Sequence, residues 1–198
     1  MSLLRVSAIL LLLASLSQAS AGERFQPGVE LNPFRLLLGQ DVRAISAGFS
    51  LFDKAGHAEI AFPLFVSLYD DDPDGGVYKD GGSYGPDRYQ VIDLDVHYRR
   101  FMTRRVGGFY LSGFLRSSYL RGTLLEGQGE TGSEIKLGLG IGMGYRVLFP
   151  TNVYWGMGII TGRYVVGESE KFAYAPMMVT DDSRYILDIE LLKVGWLF

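Results

Sequence analysis

Two histidines, His57 and His97, are all the imidazole in this chain, and there is no cysteine. Thiol nucleophiles, thiolate metal sites and disulfide scaffolds are therefore excluded. Hydrolytic chemistry would need one of these histidines to serve a serine while a carboxylate orients it, as in a lipid-active acyl hydrolase. His57 follows the short polar segment 53–56, and His97 alternates with Asp93, Asp95 and Arg99 in a run whose other positions are Leu94, Val96 and Tyr98. A histidine in such a row is expected to be hydrogen-bonded by its neighbours and to play a structural part. The segment Asp70-Asp71-Asp72-Pro73-Asp74-Gly75 begins like a calcium loop, with carboxylates at alternating places and glycine in sixth position. Its twelfth position is Gly81 rather than a glutamate, so it reads as an acidic, solvated loop. The run Gly138-x-Gly-x-Gly-x-Gly144 lacks the Gly-Lys-Ser/Thr of a phosphate loop, and Leu139, Ile141 and Met143 fill its gaps. No metal and no cofactor is expected.

The elements that carry these residues follow from composition and periodicity. With 198 residues, 47% of them hydrophobic, the chain is long and apolar enough for one folded domain. Lys and Arg number 19 against 22 Asp and Glu, for a net charge of −3, so the basic footprint that nucleic acid requires is missing. Residues 1–21 combine Arg5, an apolar run from Ala8 to Leu16, and Ala19 and Ala21 in a small-x-small arrangement. That pattern predicts a cleaved signal peptide over 1–21, with the mature domain over 22–198. The apolar run is about half of the roughly 20 residues that a membrane-crossing helix needs.

Beyond it the period is two. From Ile135 to Phe149 the odd positions are Ile, Leu, Leu, Ile, Met, Tyr, Val and Phe, whereas the even ones hold Lys136, four glycines, Arg146 and Leu148. Such alternation is a strand with two unlike faces, and its length exceeds the 5 to 6 residues or so typical of soluble strands. The same reading places strands at 27–38, 42–52, 57–69, 88–102, 108–121, 133–149, 153–167 and 184–198. Pro33, which cannot donate to a ladder, makes the first of them irregular. After the first, connections alternate between short (53–56, 103–107, 150–152) and long (70–87, 122–132, 168–183). The expected fold is all-β: an eight-stranded antiparallel up-and-down transmembrane barrel. A soluble sandwich would have to cover the whole apolar face of 135–149.

A secretory signal, eight amphipathic strands, no cysteine and a last strand ending Val194-Gly195-Trp196-Leu197-Phe198 together resemble the small eight-stranded outer-membrane barrels typified by OmpA and OmpX. The terminal Phe198, preceded at alternating positions by Trp196, Val194 and Leu192, is similar to the tail by which the outer-membrane assembly machinery recognises such chains. The resemblance implies an outer-membrane location, periplasmic turns, extracellular loops, and the lipid bilayer and lipopolysaccharide as surroundings. The alternation breaks at Glu190, where a further apolar residue belongs; a bulge there, or a strand leaving the bilayer, would restore it.

In an eight-stranded barrel the lumen is only wide enough for side chains, so inward charges must pair or be hydrated. Glu30, Asn32, Glu59, Asp93, Asp95, His97, Arg99, Arg116, Lys136 and Arg146 fall on the inward parity, and an internal salt-bridge network is expected among the charged ones. Folding the hairpins brings Glu59 beside His97 or Arg99, and Arg116 beside Asp93 or Asp95. The inward glycines make room for Phe65, Tyr110, Phe114 and Tyr154. Arg104 and Arg105 read as headgroup anchors at the turns, or as contacts for a periplasmic or cell-wall partner. The acidic loop with Asp70, Asp71, Asp72 and Asp74 would repel lipopolysaccharide phosphates unless divalent cations intervened. The function expected is a structural or surface-interaction barrel with a plugged polar lumen; the alternatives are the acyl hydrolase and a narrow channel.

Overall fold

The computed structural model describes residues 25–33, 42–53, 55, 57–70, 88–103, 107–123, 131–167 and 184–198. Eight strands run in chain order: β1 (Phe25–Leu31), β2 (Val42–Asp53), β3 (Ala58–Asp70), β4 (Arg88–Phe101), β5 (Gly108–Thr123), β6 (Thr131–Leu148), β7 (Val153–Val166) and β8 (Tyr185–Leu197). Each pairs antiparallel with its sequence neighbours, and β1 also pairs with β8, closing the sheet into an up-and-down barrel. Full closure leaves no free edge, which is how an all-antiparallel sheet avoids edge-to-edge aggregation.

The alternation in sequence becomes an inside and an outside. Along β5, Leu111, Leu115 and Tyr119 are exposed while Ser112, Phe114, Arg116 and Ser118 are buried. Along β6 the exposed set is Ile135, Leu137, Leu139, Ile141, Met143 and Tyr145. Ile141 is 68% and Leu115 63% exposed, so the large aliphatic side chains lie on the outer wall and the charges lie within. The inward glycines of β6 are needed for space: a Cβ at Gly138 would sit 2.6 Å from Ile186 Cδ1, and one at Gly142 would sit 2.6 Å from Ile160 Cγ2.

Seven strands match the sequence reading to within one or two residues at each end, the ordinary fraying of strand termini. The first is a correction. It was expected over 27–38, but β1 ends at Leu31, and Pro33 lies in a tight turn of 3₁₀ type just beyond it. Without an N–H, Pro33 cannot extend the ladder; the remainder of 27–38 lies outside the described residues.

Among the described residues, two bulges adjust the phase. In β7, Leu137 pairs with Val166 but Gly138 pairs with Tyr164, leaving Val165 as the extra residue. In β8, Gly156 pairs with Lys193 and Gly158 with Glu190, so β8 spends one residue more than β7 over this stretch. The extra residue lies at Leu191–Leu192, and Leu192 has φ 55°, a left-handed conformation that an L side chain rarely adopts. The bulge inverts the parity upstream of it, turning Glu190 inward alongside Lys193 while Leu192, Val194, Trp196 and Phe198 stay outside.

Candidate functional site

The polar constellation of this chain is inside the barrel, in two clusters separated and floored by apolar plates. Short turns end one rim, and there Phe52, Phe101, Tyr110, Tyr154 and Leu197 form a buried plate with Leu148 against it. Gly195 lets Tyr154 cross the lumen, because any Cβ there would overlap the Tyr154 ring. Halfway up, Phe114, Ile160 and Ile186 form a second buried cluster, with Tyr164 packed on it.

The lower charged cluster sits on the first plate. Arg99, which is 0% exposed, donates Nη1 and Nη2 to the two Glu30 oxygens at 3.0 Å each, and Nη1 also donates to Glu59 Oε1 at 3.1 Å. This forked geometry is the strong form of a charged hydrogen bond, and burial strengthens it further. Glu59 and Arg99 face each other across the β3–β4 ladder. Arg146 reaches Glu59 Oε2 at 2.9 Å and Glu30 Oε2 at 3.8 Å. Its guanidinium is also caged by rings, 4.0 Å from the Tyr154 centroid, 5.0 Å from Phe101 and 5.1 Å from Phe52. Tyr154 Oη donates to Glu30 Oε2 at 3.0 Å. Lys193 completes the group, 3.8 Å from Glu30 and in direct contact with Glu190.

The upper cluster centres on Arg116. Its Nε and Nη2 donate to Asp95 Oδ1 and Oδ2 at 2.8 and 2.7 Å, with Asp188 at 3.5 Å and Asp93 at 3.8 Å. Asp95 and Arg116 are direct partners in the β4–β5 register. His97 links the clusters: Nε2 lies 3.1 Å from Asp95 Oδ2, and the ring stacks on Phe114 with centroids 5.3 Å apart. Lys136 lies over the Tyr164 ring at 5.6 Å, and Tyr164 Oη shares a 2.8 Å hydrogen bond with Ser118.

Of the residues singled out in the sequence, Glu59, Arg99 and Arg146 therefore meet in the lower cluster, and Asp93, Asp95, His97 and Arg116 meet in the upper one. Lys136 is buried on the loop side. Asp70 ends β3, and Asp71, Asp72 and Asp74 lie outside the described residues, as do Arg104, Arg105 and the segment 1–21. Trp196 and Phe198 are on the outer wall with ring centroids 5.4 Å apart. Sequence reasoning missed Glu190, Lys193 and Asp188, whose inward placement depends on the β8 bulge; the charge of Glu190 in an otherwise apolar alternation was the available signal. It also missed Phe52, Phe101 and Leu197 in the floor, each of which had the inward parity of its strand.

Chemically, this is a set of mutually engaged acids and bases. Carboxylates and guanidiniums held at such distances tie six strands, β1, β3, β4, β5, β6 and β8, together across the lumen. No family model matches this chain, and no curated protein matches it. Among solved structures it is similar to Neisserial surface protein A (NspA), at 16% identity and a TM-score of 0.34, over 87% of this chain and 90% of that one.

Proposed function

We propose that this protein is an integral outer-membrane barrel with a structural or surface-interaction role, whose lumen is plugged by its own side chains. The observation that carries the proposal is the inverted distribution of polarity. The outer wall presents Leu94, Leu115, Ile135, Leu139, Ile141 and Ile189 to the surroundings, while Glu59, Arg99 and Arg116 are buried. Water would not tolerate an apolar surface of that extent on a lone soluble domain, whereas a bilayer requires it. Tyr98, Tyr145 and Trp196, exposed on the same wall, have the amphipathic character that favours the interface. On this reading the tight turns face the periplasm, the long connections are displayed outside the cell, and lipid and lipopolysaccharide surround the wall.

The aromatic floor supports a barrel that does not conduct. The partners of His97, a carboxylate and a phenyl ring in the interior, support a structural part for it over an acyl-transfer one, which would need a serine and access from lipid. The test is fractionation followed by electrophoresis in SDS with and without boiling. A membrane-associated band that changes mobility on heating is the expected result; a soluble periplasmic protein with one mobility would overturn the proposal.

A further inference from the structure

We propose that the outer wall seats a phosphorylated glycolipid of the outer leaflet, its phosphate on Arg121 and an acyl chain against β5, a site that depends on the outer-membrane location proposed above. Among the described residues, every charged side chain turned outward from β4 to β8 is an arginine: Arg100 near the tight turns, and Arg121 and Arg163 toward the long connections. The acids of the same strands face the lumen: Asp93, Asp95 and Glu190 are buried, Asp188 reaches Arg116, and Glu134 shares the parity of buried Lys136. A wall whose outward charge is of one sign is complementary to an anionic headgroup and repels a cationic one.

Arg121 stands in a polar row. It pairs with Gln90 of β4 on one side and with Ser133 of β6 on the other, and each of the three lies two residues from the loop-side end of its strand. Directly paired side chains on one face are about 5 Å apart, so the three act on one headgroup. A guanidinium forks onto two phosphate oxygens, while the Gln90 amide and the Ser133 hydroxyl serve neutral hydroxyls such as those of a sugar. The wall turns apolar immediately beneath: Ile92, Tyr119 and Ile135 lie abreast, and below them Leu94, Ser117 and Leu137. Leu94 and Leu137 are 50% and 44% exposed, and the short Ser117 between them leaves a notch in the wall. The notch is four residues below Arg121, about 13 Å along the strand, within reach of an acyl chain whose headgroup phosphate is held at Arg121.

The test titrates the folded barrel, in a zwitterionic detergent, with bisphosphorylated lipid A and counts the complex by native mass spectrometry. Arg121→Gln is expected to weaken binding about tenfold, the loss of one charged hydrogen-bonding group. Arg100→Gln, at the opposite end of the wall, should bind like the parent. Ser117→Leu fills the notch with a side chain that lipid tolerates, and should weaken binding severalfold. Unchanged affinity in Arg121→Gln, an equal loss in Arg100→Gln, or equally tight binding of phosphatidylglycerol would overturn the proposal; unchanged affinity in Ser117→Leu would overturn the seating of the chain. Electrophoresis of the same samples in SDS, with and without boiling, separates this inference from the one it depends on. A heat-dependent shift without lipid binding sinks the lipid site alone, whereas one mobility without lipid binding sinks the membrane barrel as well.

Discussion

Replacing Arg116 by methionine keeps the aliphatic stem that passes Phe114 and removes the guanidinium that holds three aspartates. Two short charged hydrogen bonds to Asp95, at 2.8 and 2.7 Å, are lost, and such bonds contribute roughly 1.5 to 3 kcal/mol each. Removing one member of a buried pair costs about 3 to 5 kcal/mol, because the other is left charged without compensation. Asp95 retains His97, and Asp93 and Asp188 are already at 3.8 and 3.5 Å, so the middle of that range, about 4 kcal/mol, is expected. Urea unfolding in lipid vesicles, followed by the fluorescence of Trp155 and Trp196, should show the midpoint fall with an unchanged slope. Adding Asp95→Asn to Arg116→Met should then cost much less than Asp95→Asn alone, with a coupling energy of about 2 kcal/mol in the double-mutant cycle. A loss below about 1 kcal/mol for Arg116→Met, or strict additivity of the two changes, would refute the view that this ion pair braces the wall.

Ile141→Arg puts a charge on the outer wall at an exposed position; in a bilayer it should cost about 2 to 4 kcal/mol, and no loss in the same vesicle unfolding assay would count against lipid contact. Gly195→Ala drives a methyl into the Tyr154 ring and should destabilise by about 1 to 3 kcal/mol. Gly113→Ala, whose added carbon meets nothing nearer than Gly140 O at 3.9 Å, should stay within about 0.5 kcal/mol of the parent, and equal thermal midpoints for the two variants would reject the packing argument. Leu192→Gly relieves a backbone held at φ 55°, a conformation costing about 1 to 2 kcal/mol for an L residue. Its unfolding midpoint should equal or exceed the parent's, whereas Leu137→Gly, on regular backbone, should lower it.

Much of this architecture is legible in the sequence because a barrel wall has one buried and one exposed face, and a period of two reports both at once. The run from Ile135 to Phe149 needs no tertiary information to be assigned. Hairpin folding then sets which inward charges can meet, and the register places Glu59 opposite Arg99 and Asp95 opposite Arg116. What was not legible lies where backbone geometry departs from the period. The end of β1 at Leu31 depends on a proline whose missing N–H matters only once its direction in the ladder is known. The inward turn of Glu190 and Asp188 depends on one extra residue in β8, which no count of apolar positions can place to the residue. Contacts between strands distant in sequence, such as Arg99 with Glu30 or Arg116 with Asp188, need the closed ring.

The bulge at Leu191–Leu192 divides β8 into two stretches that answer to different masters. Downstream, the stretch from Leu192 to Phe198 is in phase with the surroundings of the barrel, with Leu192, Val194, Trp196 and Phe198 on that face. Upstream, Ile186, Asp188 and Glu190 are in phase with the interior. A single spare residue lets both requirements hold in one strand. Length changes in β8 are consequently quantised: losing one residue at the bulge would make the pairing with β7 regular and keep Asp188 and Glu190 inward, whereas losing two would throw both outward. The strand can therefore give up one residue at the bulge but not two, and that limit comes from arithmetic rather than from the chemistry of any one side chain.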